Sequence, residues 1–471
     1  MQTADNTSIE RYLVLFLPWG LSLLFVNSPI VSYLIAWIGS FFIFFLTLSG
    51  YVRPLPKDRA FSEQIMRPIF IVQIIFAGYM ACTSIFYFLT VLGYEDFQYT
   101  SYSLVDTGRL MLTAECQRYY CLGHAAFVSG IIMFMKYPVE KKYYIENESL
   151  ANLLMQFALI SFPASILFIK IPGLSQFSNQ LSSLSFIAGT LALAFAIPLK
   201  KSGNTIICFA LYAFNFYQAA ISGFKEPIIL SILILGIFLY PSYKKTIFLT
   251  FGPMLIGLFL FLPTYNRIFR ENAWSGETST KEASQLALDA AVNGKDDTNW
   301  DFFAYRLSEI DMFTTFVKST PSYVDFYGFT LLKQSAMAIV PRIFWPSKPN
   351  TEDLIMERVY DAGVVNRGSN VSAKPAYIAD AYLSGGGIAV FFYLFIYGAI
   401  AQVISHKAEK LFGGYILGTA LIYSGLFQIF WRGLSFEFLI NTVFWSYISM
   451  YIIFRLLRRY KILKPIEDPA D

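Results

Sequence analysis

The sequence predicts an all-α integral membrane protein with about 12 transmembrane helices and one large loop, containing short helices, on the non-cytoplasmic side. Three observations carry this expectation. Of the 471 residues, 56% are hydrophobic, 18% aromatic and only 14% charged, a composition too apolar for a water-soluble fold of this size. Apolar runs long enough to cross about 30 Å of hydrocarbon recur along the chain. Lysine and arginine gather after every second run, which is the asymmetry that orients helices in a bilayer.

The first ten residues are polar, and the apolar run that follows has no small-residue cleavage pattern, so it reads as a retained helix and not as a signal peptide. Runs fall at roughly 11–28, 30–51, 69–92, 119–137, 150–170, 182–199, 204–221, 227–242, 246–263, 386–405, 411–430 and 437–456. Basic residues follow the second run (Arg53, Lys57, Arg59, Arg67), the fourth (Lys136, Lys141, Lys142) and the sixth (Lys200, Lys201). The pattern continues after the eighth (Lys244, Lys245), the tenth (Lys407, Lys410) and the twelfth (Arg458, Arg459, Lys461, Lys464). Every even-numbered exit is therefore basic, which predicts cytoplasmic N- and C-termini.

This parity divides the chain into helices 1–9 (residues 1–263), a large outer loop (264–385) and helices 10–12 with a cytoplasmic tail (386–471). A connector of this length is expected to carry helices of its own. Leu307, Ile310, Phe313 and Val317 recur at helical spacing behind Arg306; residues 326–340 are apolar but too short to span. A third helix is expected from Asn350, an N-cap with Glu352 and Asp353 in the first turn, to about Tyr360. No internal repeat is visible.

The outer segments hold many arginines against the usual asymmetry: Arg109, Arg118, Arg267, Arg270, Arg306, Arg342, Arg358, Arg367 and Arg432. Guanidinium suits bidentate phosphate recognition, and Arg267, Arg270 and Arg432 fall at the expected depth of a lipid-linked phosphate. The competing reading is that these side chains reach phospholipid headgroups or pair with Glu271 and Glu437. Between Pro341 and Pro349, three prolines fix a turn that presents Arg342, Trp345 and Lys348 to a sugar or to the membrane interface. A tight outer turn at 221–227 brings Lys225 and Glu226 close to hydrocarbon, as a self-neutralising pair or as reactive groups. Asp380 precedes the glycine run at 385–387, where the positive end of a helix suits an anion and where glycine also suits close packing. His124 and His406 lack any metal-ligand spacing, and Cys82, Cys116, Cys121 and Cys208 show no paired spacing. No Walker loop, dinucleotide fingerprint or nucleophile elbow occurs, so no metal, cofactor or nucleic-acid partner is expected.

The proline-tryptophan segment in a late outer loop, followed by Tyr377 to Leu383 and the glycine run, resembles the bacterial O-antigen and oligosaccharide repeat-unit polymerases of the Wzy type. The turn from Ser222 to Glu226 is similar to a small-residue and charge turn at the matching place in that family. The resemblance implies a lipid-sugar-dependent glycosyltransferase of the bacterial inner membrane. Such an enzyme joins undecaprenyl-diphosphate-linked oligosaccharide units on the periplasmic face, alongside membrane lipid and a chain-length regulator protein. Related ligases use a histidine in the large periplasmic loop, and 264–385 contains none, which argues against a ligase. On this reading Lys225, Arg267, Arg270, Arg306, Arg342, Trp345, Lys348 and Arg432 bind substrate, and Glu226 or Asp380 takes a proton. The alternative class is a lipid-linked sugar flippase or secondary transporter, against which the helical interiors are nearly free of acidic residues.

Overall fold

The computed structural model describes residues 8–94, 105–171, 175–221, 225–273, 279–293, 298–305, 307–368 and 372–466. α1 (Ile9–Leu13) and α2 (Leu17–Leu24) are joined through a 3-10 turn and lead to α3 (Pro29–Leu48), whose first position is a proline, where a missing backbone N–H costs nothing. α4 (Ile71–Phe76) and α5 (Ile85–Val91) flank a π-helical turn at Ala77–Cys82. Five long helices follow: α6 (Thr107–Phe134), α7 (Asn147–Lys170), α8 (Ser175–Ala196), α9 (Ser202–Ile221) and, after the shorter α10 (Lys225–Leu239), α11 (Lys244–Ala273).

The long connector holds α12 (Thr280–Asn293), α13 (Thr298–Tyr305), α14 (Ile310–Ser319), α15 (Thr330–Ile339) and α16 (Thr351–Asp361). The three helices expected there are present, with Asn350 as the N-cap residue of α16. α17 (Tyr377–Leu411), a second π-helical stretch at Tyr415–Tyr423 and α18 (Phe436–Arg459) complete the bundle.

Among the described residues, eight helical segments are long and apolar enough to cross a membrane: Pro29–Leu48, Ile71–Val91, Ser149–Lys170, Phe177–Ala196, Ser202–Ile221, Lys244–Asn272, Tyr377–Leu411 and Phe436–Arg459. The other four apolar runs also fall on helical chain. Run 11–28 is broken at Val14–Phe16, 227–242 falls on the 15-residue α10, and 411–430 falls on the π-helical stretch. Run 119–137 belongs to α6, which extends further toward its N-terminus than apolar periodicity predicts. α6 carries Thr113, Gln117, Arg118 and His124 buried against protein, so a helix too polar by composition is seated inside the bundle.

The centre is a crossing of α6 on α17. A Cβ on Gly130 would come within 2.1 Å of the Phe395 carbonyl oxygen, and one on Gly398 within 2.0 Å of the Phe127 carbonyl oxygen. The two backbones touch because neither residue has a side chain, the small-residue packing that joins helices where water supplies no hydrophobic drive. The π-turn at Ala77–Cys82 packs nearby, and its displaced carbonyls are satisfied from neighbours: Gln117 Nε2 donates to Ala81 O at 3.0 Å and Trp37 Nε1 to Cys82 O at 2.8 Å.

Segments after the second, fourth, tenth and twelfth runs converge on one end of the bundle, here called the basic end. Arg67 is sandwiched there between Asp58 (2.7 Å) and Glu409 (3.0 Å), with its guanidinium 3.8 Å from the centre of the Tyr137 ring. Hydrogen bonding from Arg67 holds the Asp58 carboxyl below its ordinary value. Lys142 N–H donates to Lys410 O, and Tyr143–Tyr144 pairs antiparallel with Lys464–Pro465, the described strands of the chain. The connector helices gather at the opposite, loop end, where Tyr120 Oη donates to Ser308 O and Tyr87 Oη to Asp311.

Candidate functional site

At the loop end, α17 opens with a break that fixes the site. Gly385 and Gly386 leave helical geometry, and Gly386 has φ +67°, a conformation that glycine adopts without strain. The glycine run is thus a kink in the helix. A Cβ on Gly386 would meet the Phe326 ring at 3.4 Å, and one on Gly387 would meet the Tyr119 ring at 3.3 Å and Leu122 at 3.9 Å. The kink therefore lies against the connector on one side and α6 on the other.

Glu115, Tyr119 and Leu122 are spaced four and three residues apart and share one face of α6. Tyr119 Oη donates to Glu115 Oε1 at 3.1 Å. The Tyr119 ring lies 4.9 Å from Tyr382 and 6.2 Å from Phe313; Tyr382 in turn lies 5.9 Å from Phe326. A half-buried carboxylate thus borders an aromatic cluster contributed by α6, α14, α17 and the segment before α15. Arg118, the next residue on α6, is buried, donates from Nη1 to Ser32 Oγ at 3.0 Å, and forms no ion pair among the described residues.

Below this cluster runs a groove of about 960 Å³ between the N-terminal helices, α6 and α17. Leu122 and Gly387 line its upper part, Ile388, Phe391 and Phe395 its wall, and Met133 and Arg53 its lower part. The α6 stretch from Leu122 to Met133 rises about 16 Å at helical pitch, roughly half a hydrocarbon core. Its walls are mainly apolar, so it suits an alkyl or isoprenoid chain lying along the bundle. Gly387 lines the groove, and a Cβ there would lie 3.3 Å from the Tyr119 ring, so the groove adjoins the cluster.

Asp380 is placed differently from its sequence reading. Arg358 Nε donates to Asp380 Oδ1 and Nη2 to Oδ2, both at 2.9 Å, while Nη1 and Nη2 donate to Glu437 at 2.9 and 2.8 Å. Phe436 N–H adds a third bond to Asp380 Oδ2 at 2.9 Å. All three ionic side chains are buried. This corrects the expectation of Asp380 as a proton acceptor: its oxygens are already occupied, and no surface is left for a substrate hydroxyl. Two carboxylates face one guanidinium, and the N-terminus of α18 supplies the remaining positive potential. Burial alone would depress the Arg358 guanidinium, but Asp380 and Glu437 hold it above its ordinary value, so it stays charged.

The proline-tryptophan turn is also held internally. Lys348 Nζ donates to Ala338 O at 3.1 Å and Val340 O at 2.8 Å, capping the carbonyl end of α15, and Arg342 Nη1 donates to Lys348 O at 3.0 Å. Burial and the nearby Arg342 push the Lys348 amine down from its ordinary value. Trp345 is half-buried, while Ile343 and Phe344 are exposed. Arg267 and Arg270 lie in the last turns of α11, where Arg267 pairs with Glu271 at 3.8 Å. Lys225 and Glu226 begin α10 and Arg432 ends a short helix at Ile429–Arg432, but their side chains, like all of Arg306, lie outside the described residues. Of the expected site residues, then, Asp380 and the turn residues are tied to structural partners. Glu115 and Tyr119, which meet Tyr382 beside the groove, are not among the residues the sequence marks for chemistry, whereas Arg118 is one of its outer arginines; the available signal was the one-face spacing of Glu115, Tyr119 and Leu122.

Among the described residues, no group of three or more histidine, cysteine, aspartate or glutamate side chains is arranged to hold a metal ion. The family described as a domain of unknown function (DUF8712) matches residues 17–465, and the chain belongs to it. No curated protein and no solved structure matches.

Proposed function

We propose that this member of the DUF8712 family is a polysaccharide polymerase, a glycosyltransferase that joins undecaprenyl-diphosphate-linked oligosaccharide units at the periplasmic face of a bacterial inner membrane. The observation that carries the reading is that a mainly apolar groove suited to an isoprenoid chain adjoins a carboxylate-bearing aromatic cluster at the loop end. An isoprenoid chain lies in the groove, the sugars emerge among the rings, and the diphosphate sits between them. On this reading the basic end faces the cytoplasm, both termini are cytoplasmic, and the chain crosses the bilayer about 12 times.

The donor's diphosphate leaves with negative charge developing on its bridging oxygen. Fixed cations stabilise that charge more in the transition state than in the ground state. Arg118, buried one residue from Tyr119, is the described cation best suited to this role; Arg306 and Arg432 are assigned to it from the sequence. The reaction needs no nucleotide, because the lipid diphosphate already carries the leaving group.

A second reading, a lipid-linked sugar flippase, is favoured by one feature: the groove reaches Arg53 toward the basic end. Purified protein in lipid vesicles, given an undecaprenyl-diphosphate-linked oligosaccharide without nucleotide, separates the two. A ladder of products on a gel supports the polymerase; substrate moving between leaflets with no ladder supports the flippase.

A further inference from the structure

We propose that Glu115 is the proton acceptor of the transfer, positioned by Tyr119, with the Tyr119, Tyr382 and Phe313 rings as the surface against which the acceptor sugar stacks. This rests on the polymerase reading and assigns the base that reading leaves open.

The argument begins with the carboxylates of the loop end. Asp380 and Glu437 are consumed by Arg358 and are fully buried. Asp311 accepts from Tyr87 Oη at 2.7 Å and pairs with Arg109 at 3.4 Å. Glu309 accepts from Tyr79 Oη at 3.2 Å and borders a cavity of about 10 Å³, room for a single water and not for a sugar. Glu115 is half-buried, forms no ion pair among the described residues, and stands about two turns above Leu122 at the mouth of the large groove. It is thus the half-buried carboxylate hydrogen-bonded to the ring cluster, within reach of an acceptor hydroxyl stacked there while the donor chain occupies the groove.

The chemistry closes without another reactant. The acceptor hydroxyl gives its proton to the Glu115 carboxylate as its oxygen forms a bond to the donor's anomeric carbon. The bond from that carbon to the phosphate oxygen breaks, and its electron pair leaves with the undecaprenyl diphosphate. Glu115 then returns the proton to water. Tyr119 donates to one carboxylate oxygen and so directs the other toward the acceptor; aromatic faces suit the C–H face of a pyranose ring.

The test compares wild type, Glu115→Gln and Glu115→Asp as purified full-length proteins in lipid with an undecaprenyl-diphosphate-linked oligosaccharide, reading initial rates across pH. Glu115→Gln is expected to lower kcat by about a hundredfold or more while the donor KM stays within about threefold. The acidic limb of the wild-type pH profile is expected to vanish from its residual rate. Glu115→Asp, which keeps the charge one methylene further back, should retain that limb and part of the rate, and stands in if the glutamine variant fails to fold. A glutamine variant with kcat within about threefold of wild type, or an aspartate variant lacking the acidic limb that wild type shows, overturns the assignment. Absence of any ladder from wild type instead overturns the polymerase reading, and the role of Glu115 falls with it.

Discussion

Tyr119 gives its hydroxyl hydrogen to Glu115 across one turn of α6, and the same ring lies 4.9 Å from that of Tyr382 on α17. One side chain thereby joins the carboxylate to the aromatic cluster, and the two contributions can be separated. Tyr119→Phe keeps the ring and deletes one hydrogen bond, worth about 1 kcal/mol, so kcat should fall about fivefold with the acceptor KM unchanged. Tyr382→Ala should raise the acceptor KM instead. Initial rates against acceptor concentration check both; a Tyr119→Phe enzyme with wild-type kcat would detach the hydroxyl from the reaction.

The glycines at the α17 kink make a second pair of predictions. Gly386 has φ +67° and ψ −151°, a region essentially reserved for glycine, so Gly386→Ala should lower stability by about 1–3 kcal/mol, read as an earlier thermal unfolding midpoint in detergent. Gly387→Phe puts a ring where Tyr119 and Leu122 border the groove, and should raise the donor KM far more than the acceptor KM. Equal effects on both would mean that the groove does not hold the donor.

Arg358 joins α16 to the first turns of α17 and α18 through two buried carboxylates. Arg358→Met leaves both carboxylates unpaired and should destabilise the protein by about 3–5 kcal/mol. Adding Asp380→Asn and Glu437→Gln to that variant removes the stranded charges and should recover much of the loss. Thermal unfolding of the single and triple variants measures this; equal midpoints would show that the cluster's charges are not what hold these helices together.

At the basic end the Asp58 carboxyl is depressed below its ordinary 3.8 by hydrogen bonding from Arg67. A depressed carboxyl contributes stability that is full above its unfolded value and is lost as pH falls through the lower, folded value. Wild type should therefore unfold at a higher temperature than Asp58→Asn near neutral pH, and the gap should close as pH falls below about 4. A gap that is constant from neutral pH to pH 3 would contradict the ion pair.

Much of the helical layout was legible. Twelve apolar runs all fall on helical chain, and Asn350 with Glu352 and Asp353 placed α16 by the capping rule alone. Four of the six basic exits, those after the second, fourth, tenth and twelfth runs, meet at one end, as Arg67, Lys142, Lys410 and Lys464 record. The site was less legible because its partners are distant in sequence. Nothing near Arg358 marks Asp380, 22 residues away, or Glu437, 79 residues away, as its counter-ions. Glu115 and Tyr119 lay in or beside a segment read as a loop, since α6 lacks apolar periodicity where its polar side chains are buried by other helices. Lys348 and Arg342 looked like ligand-binding cations, and became visible as turn-forming donors only once the carbonyls of α15 were in place.

The most direct measurement of the central claim is the stoichiometry of a single reaction: purified protein, undecaprenyl-diphosphate-linked oligosaccharide and lipid, analysed by mass spectrometry for both chain length and free undecaprenyl diphosphate. The account predicts one lipid diphosphate released for each repeat unit added, with the growing chain still attached to lipid and the release strongly diminished in Glu115→Gln. Recovery of all the substrate as intact single units, with no free lipid diphosphate, would contradict it.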